Sequence, residues 1–146
     1  EASKAAIPLG VTQAVMAGAT VFGQLVLVRR LAWSPLQLLR VGVPVMALGF
    51  ALLASAGELV QLCLGVLLLG LGLGISGPGF SAAVSLSVGA SEQGAVAGFL
   101  AACPALGYVL GLISAGLMYE WYPRAPFVLV ALLLVLVWTA LQRRSD

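Results

Sequence analysis

Five long apolar runs, separated by sparse charges, organise this chain: residues 5–28, 41–57, 59–91, 93–119 and 125–142 contain no Asp, Glu, Lys or Arg. A helix crossing a hydrocarbon core about 30 Å thick needs about 20 apolar residues, so each run suits one crossing. The pattern predicts an all-α fold, a polytopic membrane helix bundle of about five transmembrane helices. Their expected bounds are 7–28, 41–56, 59–88, 93–118 and 127–141, within one transmembrane domain spanning 1–146. Turn signals fall between them: Ser34-Pro35, Gly57-Glu58, the stretch 89–92, and a loop over 119–126 holding two prolines. Proline drives the residue before it away from the helical region, which is why Ser-Pro reads as a turn initiator.

Short connections make successive helices antiparallel neighbours. With five helices, Arg29, Arg30 and Arg40 then share one side with Arg143 and Arg144, while Lys4 and Arg124 fall on the other. Cytoplasmic loops are enriched in Lys and Arg, which orients the C-terminus inside and the N-terminus outside. Trp33, Trp121 and Tyr122 fall at the expected membrane interfaces, as an aromatic belt requires. The apolar stretch from Ala5 has no basic n-region before it and exceeds the usual signal-peptide h-region of about 7–15 residues, so it reads as a span rather than a signal peptide and leaves the outward N-terminus to be explained. It leads to the expectation that at least one further helix precedes Glu1, making the chain a fragment.

Composition removes several function classes. Hydrophobic residues make up 62% and charged residues 8%, with a mean hydropathy of +1.13, too little polarity to build the shell of a soluble domain. The net charge of +2 comes with no basic stripe interleaved with aromatics, so nucleic acid is not an expected partner. Histidine is absent and cysteine is limited to Cys63 and Cys103, which leaves no ligand set for zinc and no Cys–His nucleophile pair. Both cysteines lie in apolar runs, where the residue behaves as a small hydrophobe. No metal, cofactor or catalytic residue is expected. Ser81 and Ser85 have no evident base, and the chain is not read as an enzyme.

The interiors of the runs are unequal. On a 3.6-residue helix, Gly70, Gly74, Gly77, Ser81 and Ser85 share one face of the third helix, with Gly72 and Gly79 roughly opposite and Pro78 marking a bend. In the fourth, Gly94, Gly98, Ala101 and Ala105 form one stripe, and Gly107, Gly111 and Ser114 another, beyond Pro104. Small residues let helix backbones approach closely in lipid. On the first helix Gln13, Ala17, Thr20 and Gln24 share a face. Polar side chains inside a membrane face the bundle interior or a watery cavity. They serve either interhelical hydrogen bonding or the lining of a permeation pathway; for serine, bonding to its own helix backbone is a further option. Gln13, Thr20, Gln24, Ser81, Ser85 and Tyr108 are the pathway candidates. Glu58, Glu92 and Glu120 lie at helix ends, so no carboxylate sits inside the membrane to carry a coupling proton.

This order of features resembles the last five helices of the major facilitator superfamily, in the flavour of its bacterial drug-efflux members. The residues that carry the likeness are Gly70-Leu71-Gly72-Leu73-Gly74 with Gly77-Pro78, then Glu92-Gln93-Gly94-Ala95-Val96-Ala97-Gly98, then Leu106-Gly107 and Leu110-Gly111. The stretch from Gly23 to Arg30 is similar to the family's cytoplasmic signature: Gly23, Leu25 and Val26 fit and Arg29 and Arg30 supply the basic residues. Leu27 stands where the signature has aspartate. The resemblance implies part of the C-terminal half of a transporter, with the first, third and fourth helices lining a cavity and the second and fifth facing lipid.

The expected function is therefore secondary active transport of a small molecule, in the direction of efflux, by alternating access between two halves. The expected setting is a bacterial cytoplasmic membrane, with the lipid bilayer, a small-molecule substrate and the missing N-terminal helices of the same transporter as partners. The competing expectation is a complete small membrane protein, a homodimeric transporter or structural protein, that associates through its Gly-rich helix faces.

Overall fold

The computed structural model describes residues 2–143, with side chains from residue 7 onward. Arg144 lies outside the described residues, as does the side chain of Lys4. Among the described residues the chain forms five long helices. Helix α1, Ala2–Phe22, continues into a π-helical segment, Gly23–Val28, and a last helical turn, Arg29–Leu31. Ala32 then adopts the left-handed conformation, at φ 46°, which reverses the chain direction where glycine would normally stand. Helix α2 is Pro35–Ser55, α3 is Leu59–Leu86, α4 is Gln93–Trp121 after a 3-10 turn at Ala90–Glu92, and α5 is Ala125–Arg143. Each of the five is long and apolar enough to cross a membrane, with mean hydropathies from 1.6 to 2.3.

The boundaries differ from the charge pattern where local chemistry overrides it. Helix α2 begins well before residue 41 because Ser34 caps it. The Ser34 hydroxyl accepts from the Gln37 amide at 3.4 Å, and the Gln37 side chain accepts from the Ser34 amide at 2.9 Å. Two otherwise orphaned donors are thereby satisfied. Pro35 occupies the first turn, where a missing N–H costs nothing. The expected loop over 119–126 contracts to three residues between α4 and α5, since Pro126 likewise fits a first helical turn.

The core lies in three helices. Helix α3 is flanked by α1 on one side and α2 on the other, and α5 packs on the far side of α2. Buried positions are Ala19 and Gly23 from the first span, Leu38, Gly42, Val43, Ala47 and Gly49 from α2, and eight from α3; α4 and α5 bury none. Lipid supplies no hydrophobic drive for helix association, so close van der Waals approach must substitute.

Glycine seams provide that approach on two faces of α3. Toward antiparallel α2, Gly65, Gly72 and Gly79 recur every seven residues and meet Gly42 and Gly49, themselves seven apart. A Cβ placed on Gly42 would lie 2.8 Å from the Gly72 carbonyl oxygen, and one on Gly49 would lie 2.9 Å from that of Gly65. A Cβ on Gly79 would meet the Cβ of Leu38 at 2.8 Å. Toward α1, which runs parallel, Gly70 abuts the Met16 carbonyl and the Ala19 side chain, and Gly74 abuts the Thr20 carbonyl and Gly23. Side chains at any of these positions would wedge backbones apart.

Candidate functional site

Of the polar positions on the first span, Gln13 and Gln24 stand beside its packing face, whereas the Thr20 backbone meets Gly74 on it. Met16, Ala19 and Gly23 meet α3, while Gln13 and Gln24 are exposed on the bundle surface. Thr20 is half-buried and donates its hydroxyl to the Met16 carbonyl at 2.9 Å, the local back-bonding that satisfies a threonine within its own helix. Gln24 lies inside the π-helical segment. An exposed amide within an apolar span is costly against hydrocarbon.

Helix α3 divides its expected stripe in two. Gly70 and Gly74 are buried against α1, but Gly77 has no atom near the position of a Cβ, and Ser81 is exposed. Pro78 is half-buried. Ser85 joins a reciprocal pair: its hydroxyl donates to Gln93 Oε1 at 2.8 Å, and Gln93 Nε2 donates to the Ser85 carbonyl at 2.9 Å. The pair clamps the end of α3 to the start of α4 and uses the hydroxyl's donor locally. Ser76, by contrast, is buried in the α2–α3 seam and bonds the Gly72 carbonyl at 2.7 Å.

Helix α4 stands largely free. Tyr108 is 70% exposed, and Gly94, Gly98, Gly107 and Gly111 face open space. Ser114 is satisfied by the Leu110 carbonyl of its own helix at 2.8 Å. The expected pathway residues therefore sit on the first span, α3 and α4; Thr20 is bonded within its own helix to Met16, and Ser85 is bonded across the turn to Gln93. Gln93 is a partner that sequence reasoning did not single out; a glutamine in the first turn after a serine-bearing helix end was the available signal.

Three surface grooves follow the helix junctions. One of about 450 Å³ lies between α1 and α3 beside Ala19 and Leu71. Another, about 600 Å³, is bounded by Phe50, Tyr119, Glu120 and Phe127. The third, about 540 Å³, runs between α2 and α5 and ends at Trp138. Cys63 and Cys103 are both free thiols, half-buried on α3 and α4. Among the described residues no three His, Cys, Asp or Glu side chains gather as a metal site.

Where the resemblance implies a second helix that faces lipid, α2 is packed between α3 and α5. Its face toward α3 is the most closely packed surface in the bundle, because Gly42 and Gly49 admit the α3 backbone.

The class defined by these features is an integral membrane protein built as an all-helical bundle of five candidate spans. Compared with known proteins, the chain matches no family model, no curated protein and no solved structure.

Proposed function

We propose that this bundle is the pathway-lining part of a secondary transporter of the major facilitator type, exporting a small amphipathic molecule by alternating access. The observation that carries the reading is the pair of exposed glutamines, Gln13 and Gln24, on an apolar span. Uncharged amides of this kind are expected to face a watery cavity or another helix, not lipid. Support comes from the contrast between helices. The α1–α3–α2 core is closed by glycine seams, whereas the free faces of α1, α3 and α4 carry Gln13, Gln24, Ser81 and Tyr108. In this reading further helices of the transporter cover those faces and the cavity lies between. In the same reading that membrane is a bacterial cytoplasmic one, and the enrichment of cytoplasmic ends in Lys and Arg favours an inward position for the end carrying Arg29, Arg30 and Arg143, and with it the C-terminus.

The test is transport of a fluorescent amphipathic cation in inverted membrane vesicles carrying the protein. Gln13→Leu and Gln24→Leu should alter the rate or the substrate range while leaving the amount of inserted protein unchanged. Unchanged transport in both variants refutes the pathway reading. A reporter fused after Asp146 should be active only in the cytoplasm; activity on the outer side reverses the orientation.

A second reading, self-association through α4, is favoured by its unfilled glycine positions. It requires disulfide cross-linking of Gly98→Cys within dimers in native membranes, in a background where Cys63 and Cys103 are serine.

A further inference from the structure

The junction of α2 and α5 combines an apolar groove with a cation at one end. Along α2, Arg40, Pro44, Ala47, Ala51 and Ala54 follow one helical stripe, and the last four line the groove. Opposite them α5 contributes Val128, Ala131 and Val135, and Trp138 at the Arg40 end. The groove exists because alanines stand where larger side chains would fill the junction. Pro44 to Ala54 covers about 15 Å at 1.5 Å per residue, the depth of one leaflet of a hydrocarbon core about 30 Å thick.

Arg40 is held in place at the mouth. The Trp138 indole N–H donates to the Arg40 backbone carbonyl at 3.1 Å, and Arg40 Nη2 donates to the Leu141 carbonyl at 3.3 Å. Its Nε is buried and has no hydrogen-bond partner among the described residues. A guanidinium presents five donors in a fixed fork suited to phosphate, and among the described residues Arg40 directs only Nη2 to a partner, the Leu141 carbonyl. Trp33 and Gln37 form, with Arg40 and Val41, a second recess at the same end. It adds an amide donor and an interfacial aromatic beside the cation.

We infer that this junction is a binding site for an anionic glycerophospholipid, with one acyl chain in the α2–α5 groove and the phosphate on Arg40. Charge complementarity selects the anionic class, and the leaflet-length groove selects a lipid over a free phosphate. Basic pockets between transmembrane helices bind anionic headgroups in this manner. The site needs only membrane insertion and does not depend on the transport reading.

Native mass spectrometry of the detergent-purified protein tests the site, titrating phosphatidylglycerol and phosphatidylcholine with identical acyl chains. The wild type should retain phosphatidylglycerol about fivefold better, the discrimination one basic residue near a membrane surface supplies. Arg40→Gln should abolish that preference and Arg40→Lys should keep part of it. Ala51→Trp fills the groove without touching Arg40 and should weaken both lipids. Equal retention of the two lipids by the wild type overturns the inference. So does a preference that survives Arg40→Gln, or phosphatidylglycerol binding unaffected by Ala51→Trp. If Arg40→Gln fails to fold, Ala51→Trp and the wild-type lipid comparison still decide.

Discussion

Replacing Gly42 with alanine should destabilise the bundle, although alanine is the better helix former. The added methyl would sit 2.8 Å from three α3 atoms at once: the Gly72 carbonyl oxygen, the Ser76 amide nitrogen and the Ser76 Cβ. None of these is the end of a flexible side chain. Ordinary contact begins near 3.4 Å, so the α2 and α3 backbones must part by roughly 0.6 Å along a seam with no slack; overpacking of this kind costs about 1–3 kcal/mol. The gain in helix propensity from glycine to alanine offsets about 0.5–1 kcal/mol. A net loss of about 1 kcal/mol remains at the middle of these ranges, and cooperative separation of α2 from α3 should occur at lower denaturant. Gly77→Ala on α3 is the matched control, because nothing lies within 4 Å of its Cβ position, and it should be neutral or stabilising. The assay is unfolding of the purified protein by increasing sodium dodecyl sulfate in mixed micelles, followed by tryptophan fluorescence. Equal stability of the two variants would refute the seam as a determinant of the fold.

Three further outcomes follow from the same geometry. Ser34→Ala removes half of the capping box and should cost about 1 kcal/mol, seen as faster amide exchange confined to the first turn of α2. Ser85→Ala and Gln93→Leu should show a coupling energy of about 0.5–1.5 kcal/mol in a double-mutant cycle, since each variant breaks the same reciprocal pair; additive effects would dismiss the clamp. Cys63 and Cys103 should both react with a maleimide in denaturing detergent without prior reduction, giving two labels per chain, because neither is in a disulfide.

The number of spans was legible in the sequence because the bilayer imposes a length on every helix, and the gaps between Arg, Lys, Asp and Glu report that length directly. Helix ends were less legible. Arg40 reads as a boundary by charge, yet it lies inside α2, where its guanidinium donates to the Leu141 carbonyl near the end of α5. The Ser34-Pro35-Leu36-Gln37 capping box was the better signal and was available. The two glycine faces of α3 could be drawn on a wheel, but which neighbour each face meets could not. Gly42 and Gly49 went unread as a seam because their importance lies in matching the seven-residue rhythm of Gly65, Gly72 and Gly79 on another helix. Ser85 shows a different limit. Its position on the stripe was visible, but its hydroxyl is taken by Gln93 across a turn, and helical periodicity says nothing about contacts across a turn.

The π-helical segment Gly23–Val28 has a consequence for how the first span tolerates changes in length. A π-helical turn holds one residue more than an α-helical turn, so this stretch carries a surplus residue between the Gly23 contact with α3 and the basic end at Arg29. Removing one residue there converts the wide turn to an α-helical one and leaves the directions of Gly23 and Arg29 nearly as they were. Removing one residue anywhere else in α1 turns everything beyond it by about 100° and drags either Met16 and Thr20 or the arginines off their faces. The segment is thus the one place where the span's length and its orientation are uncoupled, and single-residue deletions that survive in this helix should map there.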